Sequence, residues 1–261
     1  MSERVRIGKA LAAAGVASRR ASDALVAAGR SLTVTRPAAL GETVDPAVDR
    51  LAVDGRVVER PARRVYLLAA KPAGVTSTVS DRHAARTVIE LVPAGLRAQA
   101  RRLYPVGRLD RDSEGLLLLT NDGDWAQRLL HPSHAVEREY AIGLARPLSA
   151  DQRARLLGGV ELDEGIARLA ALAPATAADR RRLSRLIGAA AGPLVWYRAT
   201  LRQGWKRQLR RMFAAVGQPV QRLVRLRFGS LRLGDLALGE VRPLTGAERR
   251  QLDALGGRRR G

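Results

Sequence analysis

The feature that most constrains the fold is a charged stretch, residues 107–123, that interrupts two apolar runs. Val106 and Leu109 precede the charges and Leu116 to Leu119 follow them, so both flanks predict buried strands. Between the flanks, Ser113 to Gly115 has the composition of a turn and predicts the connection. The stretch therefore indicates two neighbouring strands with charged side chains at their ends.

Four charged side chains lie at this predicted strand end: Arg108, Asp110, Arg111 and Asp112. A rigid sheet fixes the geometry of groups on its loops and leaves them accessible, which is why catalytic groups are often found there. The same four residues could instead form an arginine–aspartate network that only holds a hairpin together. Spacing alone favours the network, because short motifs often match by chance.

The composition indicates the kind of partner. The 261-residue chain has 46 Lys and Arg against 25 Asp and Glu, a formal net charge of +21. Such an excess predicts a polyanionic partner, and nucleic acid is the first candidate. The 46% hydrophobic content is enough for one sizeable core and a small satellite domain. No apolar run approaches the ~20 residues of a membrane span, and no lipidation motif occurs, so we expect no membrane association.

Metal, cofactor and export functions have no support in the sequence. The chain has no cysteine and three histidines, too few for the four clustered ligands of a structural zinc site, so no metal is predicted. Neither a Gly-rich phosphate loop nor a dinucleotide-binding fingerprint occurs, so no cofactor is predicted. Without a disulfide framework or a signal-peptide apolar region, we expect a cytoplasmic protein, and we expect it to be a monomer.

Residues 4–60 predict a small first domain. A helical stripe runs through Ile7 and Leu11, Ser18 can cap a second helix, and short strand-like pieces follow up to an Asp54-Gly55 turn. Four cations lie around the predicted helix ends: Lys9, Arg19, Arg20 and Arg30. They form either a phosphate-binding face or an ordinary solvated one.

Residues 64–252 predict a second, larger domain, and residues 253–261 a basic tail. Predicted strands outnumber the helices that could cross over between parallel neighbours, so we predict an α+β fold with a mostly antiparallel sheet. Lys71 begins a Pro- and Gly-containing loop and is either a solvated cation or a ligand for an RNA phosphate. Residues 160–191 are Ala-rich and basic in part, and predict an insertion that contacts RNA or nothing.

Three motifs of the second domain resemble those of ribosomal RNA pseudouridine synthases of the RsuA class. The first is Gly-Arg-Leu-Asp from Gly107, followed by a Gly-Leu-Leu-Leu-Leu-Thr-Asn-Asp-Gly run, and the resemblance makes Asp110 the nucleophile. The second is the strand around Tyr140, a tyrosine that packs against the target base in this family. The third is the helix from Lys206, in which the resemblance makes Arg210 the partner of the catalytic carboxylate. An ionised arginine nearby favours the charged form that a nucleophile needs.

The basic residues of these motifs are predicted RNA ligands. On the third-motif helix they lie off the apolar stripe of Leu209 and Met212. The predicted RNA ligands of the second domain are Lys71, Arg108, Lys206, Arg207 and Arg211. The run from Lys9 to Arg20 resembles the alpha-L RNA-binding domain, which implies that the four cations of the first domain also contact RNA.

The resemblance implies that a uridine in ribosomal RNA is isomerised to pseudouridine, with no cofactor. Asp110 would act on the ribose or on the base, and either route needs the nucleotide out of the stack. The run from Lys71 to Asp81 looks more like the branch that modifies large-subunit RNA. Small-subunit RNA is the alternative substrate, and a non-catalytic RNA-binding or ribosome assembly protein is the alternative class. A glycoside hydrolase using Asp110 and Asp112 is disfavoured, because the charge of +21 has no use there.

Overall fold

A computed structural model describes residues 4–33, 36–46, 48–59, 63–79, 86–100, 102–188 and 193–256. Residues 60–62 at the boundary between the two predicted domains, and parts of the predicted insertion (189–191) and tail (257–261), therefore lie outside the described residues. The chain divides into two compact units. The first is Met1–Val65, Ala94–Leu103 and Asn121–Gly123, and the second is Tyr66–Pro93, Tyr104–Thr120 and Asp124–Gly261.

The described residues form helices and strands in the following order. The α-helices are α1 Ile7–Ala13, α2 Arg19–Ala27, α3 Ala94–Ala100, α4 Gly123–Leu130, α5 Ala150–Gly158, α6 Ala177–Ile187, α7 Gln208–Ala215 and α8 Gly246–Gly256. The strands are β1 Val5–Arg6, β2 Ser31–Thr33, β3 Arg36–Pro37, β4 Thr43–Val44, β5 Leu51–Val53, β6 Arg56–Val57, β7 Tyr66–Lys71, β8 Tyr104–Val106, β9 Glu114–Thr120, β10 Arg138–Leu144, β11 Val160–Leu162, β12 Gly165–Ala167, β13 Ala171–Pro174, β14 Val195–Leu201, β15 Arg222–Phe228, β16 Leu231–Arg232 and β17 Val241–Pro243. Two 3-10 helices, Val88–Leu91 and Pro132–His134, complete the set.

Within the first unit, the described residues up to 59 form the two helices and the small sheet that their sequence predicts. The hydroxyl of Ser18 accepts a hydrogen bond from the Ala21 N–H at 3.1 Å and so caps α2. Ile7 and Leu11 of α1 pack with Val26 of α2 in a core that also includes Leu51 of β5. Strands β3, β2, β5 and β6 form one four-stranded sheet in that order.

The second unit is built on a nine-stranded sheet of the described residues. Its strands lie in the order β13-β14-β10-β15-β9-β7-β17, with β16 on β15 and β8 on β9. All of these pairs are antiparallel except β9 with β15, which run parallel. The predicted α+β fold with a mostly antiparallel sheet is confirmed.

Strand β9 organises the sheet because three strands pair with it. β7 pairs along Gly115–Thr120 and occupies one edge. A strand has two hydrogen-bonding edges, so β15, which pairs at Glu114 and Gly115, and β8, which pairs at 118–120, share the other edge. The sheet is therefore split between β15 and β8, and the loop that carries residues 107–113 leaves β8 at this split.

One face of the sheet packs against helices. Trp125 and Leu129 of α4 and Leu252 of α8 are buried against Leu116 and Leu118 of β9. Strand residues alternate between faces. Lys71 and Gly115, which pair across β7 and β9, therefore belong to the opposite face. Among the described residues, no helix is long and apolar enough to cross a membrane.

Two details of the sequence prediction are wrong. Glu114 and Gly115 are not in the turn but are the first residues of β9, because the turn falls at 111–112. Residues 253–256 are not part of a tail but continue α8. The described part of 160–191 supplies the edge strand β13 and helix α6, whose Leu183 and Ile187 pack against the sheet, and contact of this segment with RNA stays a prediction.

Candidate active site

A single row of residues crosses four strands of the second unit. Lys71 of β7 is opposite Gly115 of β9, Gly115 is opposite Arg225 of β15, and Arg225 is opposite Tyr140 of β10. Residues opposite each other in a sheet project from the same face. The row therefore forms a floor in which two basic side chains and a tyrosine lie beside the split between β15 and β8.

Gly115 allows the close strand approach at the centre of this row. Its φ of +99° is a conformation that residues with a Cβ rarely adopt. A Cβ at this position would overlap the backbone carbonyl oxygen of Arg225. The parallel contact between β9 and β15 thus depends on glycine at position 115.

Asp110 lies on the 107–113 loop, directly after Leu109. The buried Ser77 forms hydrogen bonds with both the carbonyl and the N–H of Leu109. The Ser77 hydroxyl donates to the Leu109 carbonyl at 2.8 Å and accepts from the Leu109 N–H at 3.1 Å. Ser113 donates its N–H to the Asp110 carbonyl at 3.0 Å and closes the turn. The backbone around Asp110 is therefore fixed from both sides. The sequence prediction missed Ser77, because its partner lies 32 positions away.

Lys71 holds the same loop through hydrogen bonds from its side chain. Its side chain is fully buried, and Nζ donates to the carbonyls of Pro72 at 2.9 Å, Arg111 at 3.2 Å and Ser113 at 2.7 Å. Burial lowers the pKa of Lys71 from 10.5 to about 8, although Glu114 and the nearby aspartates oppose that shift. The prediction that Lys71 binds an RNA phosphate is wrong, because all three donors of its ammonium group are used inside the protein.

The two aspartates of the loop have different surroundings. In the part of the chain that the structure describes, the Asp110 carboxylate makes no hydrogen bond or ion pair, although its charge acts on Lys71 and Arg207. Asp112 instead receives two hydrogen bonds of 3.2 Å from Arg207. Burial opposes the effect, but the Arg207 hydrogen bond and the charge of Arg210 hold the pKa of Asp112 below its usual value. Asp110 is therefore available to a ligand, whereas Asp112 is part of the loop structure.

Arg210 of α7 does not pair with Asp110, and this predicted contact is wrong. Its Nη2 donates to the backbone carbonyl of Asp112 at 2.9 Å and lies 3.4 Å from the Asp112 carboxylate. Its Nη1 donates to the Val220 carbonyl at 3.1 Å. The 111–112 turn brings Asp112 rather than Asp110 to this arginine, so Arg210 links the loop to α7 and to the segment before β15.

Tyr140 and Arg225 complete the site. Tyr140 is 8% exposed and Arg225 is 3% exposed. Arg225 donates from Nε to the Leu116 carbonyl at 2.7 Å, while its buried Nη2 has no hydrogen-bond partner among the described residues. The sequence prediction missed Arg225, because three arginines interleaved with apolar residues on β15 do not show which of them is buried. Its register opposite Tyr140 becomes visible only in the sheet.

Apart from Lys71, the predicted RNA ligands fall into two groups. Arg19 and Arg20 on α2, and Arg108 and Lys206 beside the site, are exposed, and Lys9 is partly exposed on α1. Three others form ion pairs within the protein: Arg30 with Asp54, Arg207 with Asp112, and Arg211 with Asp163 and Glu164. RNA binding by the residues of both groups stays a prediction. In the same described part of the chain, no three acidic, histidine or cysteine side chains lie together as metal ligands.

Comparison with known proteins places this site in a sequence context. A family model described as RNA pseudouridylate synthase matches residues 65–215. A Mycobacterium leprae protein named as an uncharacterized RNA pseudouridine synthase is 40% identical over 249 residues, 95% of this chain and 92% of that protein. Ribosomal large subunit pseudouridine synthase B of Bacillus subtilis is 35% identical over 258 residues, 96% of each chain. A solved structure of a pseudouridylate synthase, at 24% identity, has a similar fold, with a TM-score of 0.63 over 95% of this chain and 99% of that one.

Proposed function

The chain belongs to the RNA pseudouridylate synthase family, and from this we propose that it isomerises a uridine of large-subunit ribosomal RNA to pseudouridine with Asp110 as the nucleophile. The reaction breaks the bond between the ribose C1′ and N1 of uracil, turns the base, and forms a bond from C1′ to C5. N1 gains a hydrogen and C5 loses one, so the RNA keeps its atoms.

The observation that carries this proposal is the contrast between Asp110 and its surroundings. Ser77 and Lys71 hold the loop backbone, and Arg207 and Arg210 hold Asp112, yet the Asp110 carboxylate has no partner among the described residues. A nucleophile must be held in place while its reacting atom stays free for the substrate. Asp110 meets both conditions, and Asp112 does not.

The substrate nucleotide is proposed to enter with its base out of the helix stack. The Asp110 loop leaves β8 at the split in the sheet, and a base inside a duplex could not reach a carboxylate there. Tyr140 is in the floor row, and its ring supplies an apolar surface against which a base can pack. The exposed cations Arg108, on the loop of Asp110, and Lys206, in the segment before α7, are proposed to bind phosphates.

Two observations support large-subunit ribosomal RNA as the substrate. The chain is similar over nearly its whole length to a Bacillus subtilis protein named for modification of the large ribosomal subunit. The net charge of +21 suits a structured RNA with many phosphates.

The proposal is tested by comparing the parent protein with Asp110→Asn. Purified protein is incubated with unmodified, transcribed large-subunit ribosomal RNA and, in parallel, with small-subunit RNA, and pseudouridine is mapped by chemical labelling and reverse transcription. We expect the parent to form pseudouridine in the large-subunit RNA. Asparagine keeps the size of aspartate but cannot act as an anionic nucleophile, so the variant should be slower by at least about 10³-fold.

The matched control is Asp112→Asn, which removes a carboxylate two residues away. We expect this variant to remain active, and both variants to bind RNA as the parent does. Pseudouridine in small-subunit RNA alone would overturn the substrate. Folded Asp110→Asn protein that reacts at the parent rate would overturn Asp110 as the nucleophile.

A further inference from the structure

Arg138 is a basic residue of the site to which no role has been given. It lies on β10 two residues before Tyr140, and alternation along the strand puts both side chains on the same face. The side chain is only partly exposed. Its guanidinium carbon lies 5.3 Å from the ring centroid of Phe228, which faces it on β15. The guanidinium makes no hydrogen bond or ion pair in the described chain.

The carboxylates next to Arg138 in sequence cannot neutralise it. Glu139 alternates to the other face of β10, and Glu137 directly precedes the strand. Both already pair with arginines, which lie on β14, on β15 or directly after β14. These pairs are Glu137 with Arg202 and Arg227, and Glu139 with Arg198 and Arg227. The charges on the helix-covered face of the strand are thus compensated, whereas the charge of Arg138 on the site face is not.

A second cation increases the positive potential at this position. The guanidinium carbon of Arg225 lies 5.8 Å from the same Phe228 ring, and its buried Nη2 has no hydrogen-bond partner among the described residues. Burial and the charge of Arg225 lower the pKa of Arg138, although Tyr140 acts in the opposite direction. The guanidinium groups of Arg138 and Arg225 both lie near the Phe228 ring, and no carboxylate of the described residues pairs with either of them. The two positive charges repel each other, and a bound anion would reduce that repulsion.

There is also space beside the guanidinium. Gly204, in the segment between β14 and α7, lies next to Arg138, and a Cβ there would be 3.6 Å from Nη1. Apart from the neighbours of Gly204 in the chain, no other described residue lies within 4 Å of that position. Glycine at position 204 therefore leaves the space directly beside Nη1 unfilled.

We propose that Arg138 is a phosphate-binding residue of the active site, and that it takes a backbone phosphate of the nucleotide whose base packs against Tyr140. This rests on the proposed function, because it assumes that the ligand is RNA. The planar guanidinium can donate two parallel hydrogen bonds to a phosphate, and its contact with the Phe228 ring limits its rotation. Arg225 contributes charge from below without touching the RNA.

The first test measures binding and does not depend on catalysis. Affinity for transcribed large-subunit ribosomal RNA is measured against salt concentration for the parent, Arg138→Gln, Arg138→Lys and the control Arg153→Gln, an exposed arginine on α5. Loss of one phosphate contact should reduce the slope of log affinity against log salt by about 0.7–0.9 in Arg138→Gln only. Arg138→Lys should keep the slope and bind more weakly. Equal slopes for Arg138→Gln, Arg153→Gln and the parent would overturn the proposal.

The second test locates the phosphate. A short RNA that contains the modified uridine is made with one neutral methylphosphonate linkage at a time around that uridine. One linkage should slow the parent roughly ten- to a hundredfold, and the same linkage should not slow Arg138→Gln further. If every linkage slows the variant as much as it slows the parent, Arg138 does not contact a phosphate. If the parent forms no pseudouridine in any RNA, the proposed function fails. The salt slopes then still show whether Arg138 binds a phosphate.

Thermal unfolding separates this role from a structural one. An unpaired, partly buried cation does not favour the folded state, so Arg138→Gln should unfold at the parent temperature or above it. If Arg138 served mainly to pack on Phe228, the variant would instead unfold at a lower temperature with an unchanged salt slope. That pair of results would also overturn the proposal.

Discussion

Arg210 donates a 2.9 Å hydrogen bond to the backbone carbonyl of Asp112, so this arginine binds the main chain two residues after the proposed nucleophile. Its other terminal nitrogen reaches the Val220 carbonyl at 3.1 Å. A side chain that bridges two backbone carbonyls fixes the distance between the segments that carry them. Arg210 therefore affects Asp110 by holding the backbone of its loop, and it is not the counter-ion of the Asp110 carboxylate.

Replacing Arg210 should therefore have a larger effect than replacing the carboxylate beside it. Arg210→Ala leaves two carbonyls without their donor and should lower the free energy of unfolding by about 2–4 kcal/mol, with a slower reaction. Asp112→Asn keeps the backbone bond and changes a half-exposed ion pair, so it should cost less than about 1 kcal/mol. Urea unfolding and single-turnover rates measure both. Equal losses of stability and rate in Arg210→Ala and Asp112→Asn would contradict this role of Arg210.

Two buried serines on either side of Asp110 provide a matched pair. Ser77 makes two hydrogen bonds to the Leu109 backbone, whereas the buried Ser113 hydroxyl has no partner among the described residues. Ser77→Ala should destabilise the protein by about 1–3 kcal/mol and slow pseudouridine formation. Ser113→Ala should be neutral or slightly stabilising, since no hydrogen bond is lost. A Ser77→Ala variant with parent stability and rate would show that this contact does not hold the loop.

Lys71→Met tests whether the lysine is internal to the site. Methionine fills a similar volume but leaves three carbonyls unpaired, so we expect about 2–4 kcal/mol lower stability and a reduced rate. The salt dependence of RNA binding should not change. The control is Lys206→Met, an exposed lysine, which should keep its stability and lose about 0.7–0.9 in salt slope. If the salt slope fell in Lys71→Met and stayed at the parent value in Lys206→Met, Lys71 would be the RNA ligand.

The same lysine should make stability depend on pH in the alkaline range. The unfolded lysine keeps its proton up to about pH 10.5, whereas the folded one releases it near pH 8, so the unfolded state binds more protons between these values. Stability must then rise with pH across this window. Relative to Lys71→Met, the parent should gain on the order of 2–3 kcal/mol from pH 8 to 10.5 in chemical unfolding. A difference that is constant with pH would contradict the depressed pKa.

Most of the secondary structure could be predicted from the sequence because the signals are local. Ser18 is followed by the helix that its side chain does cap, and the apolar stripe of α7 is buried as its spacing predicts. The strands at 66–71, 195–201 and 222–228 also follow from apolar runs with turn residues at their ends. In each case the deciding interaction lies within a few residues.

The partners of individual charged residues could not be predicted, because they are distant in sequence. Lys71 and Ser113 are 42 positions apart, and Arg210 and Asp112 are 98 apart. A lysine after a buried strand has the same sequence pattern whether it is solvated or inserted under a loop. The choice between Asp110 and Asp112 as the partner of Arg210 depends on where one turn falls, and the sequence pattern placed that turn two residues too late.

The parallel pairing of β9 with β15 affects the order in which parts of the chain fold. Arg225 and Leu116, which bond across it, are 109 positions apart, whereas β7 to β9 and β10 to β15 can each form by more local pairing. Long-range parallel pairing is slow. In refolding, recovery of activity should lag behind recovery of the helical signal, and simultaneous recovery would contradict this order. During synthesis the proposed nucleophile, Asp110, is thus made early, and we expect RNA modification only after the late strand β15 has joined β9.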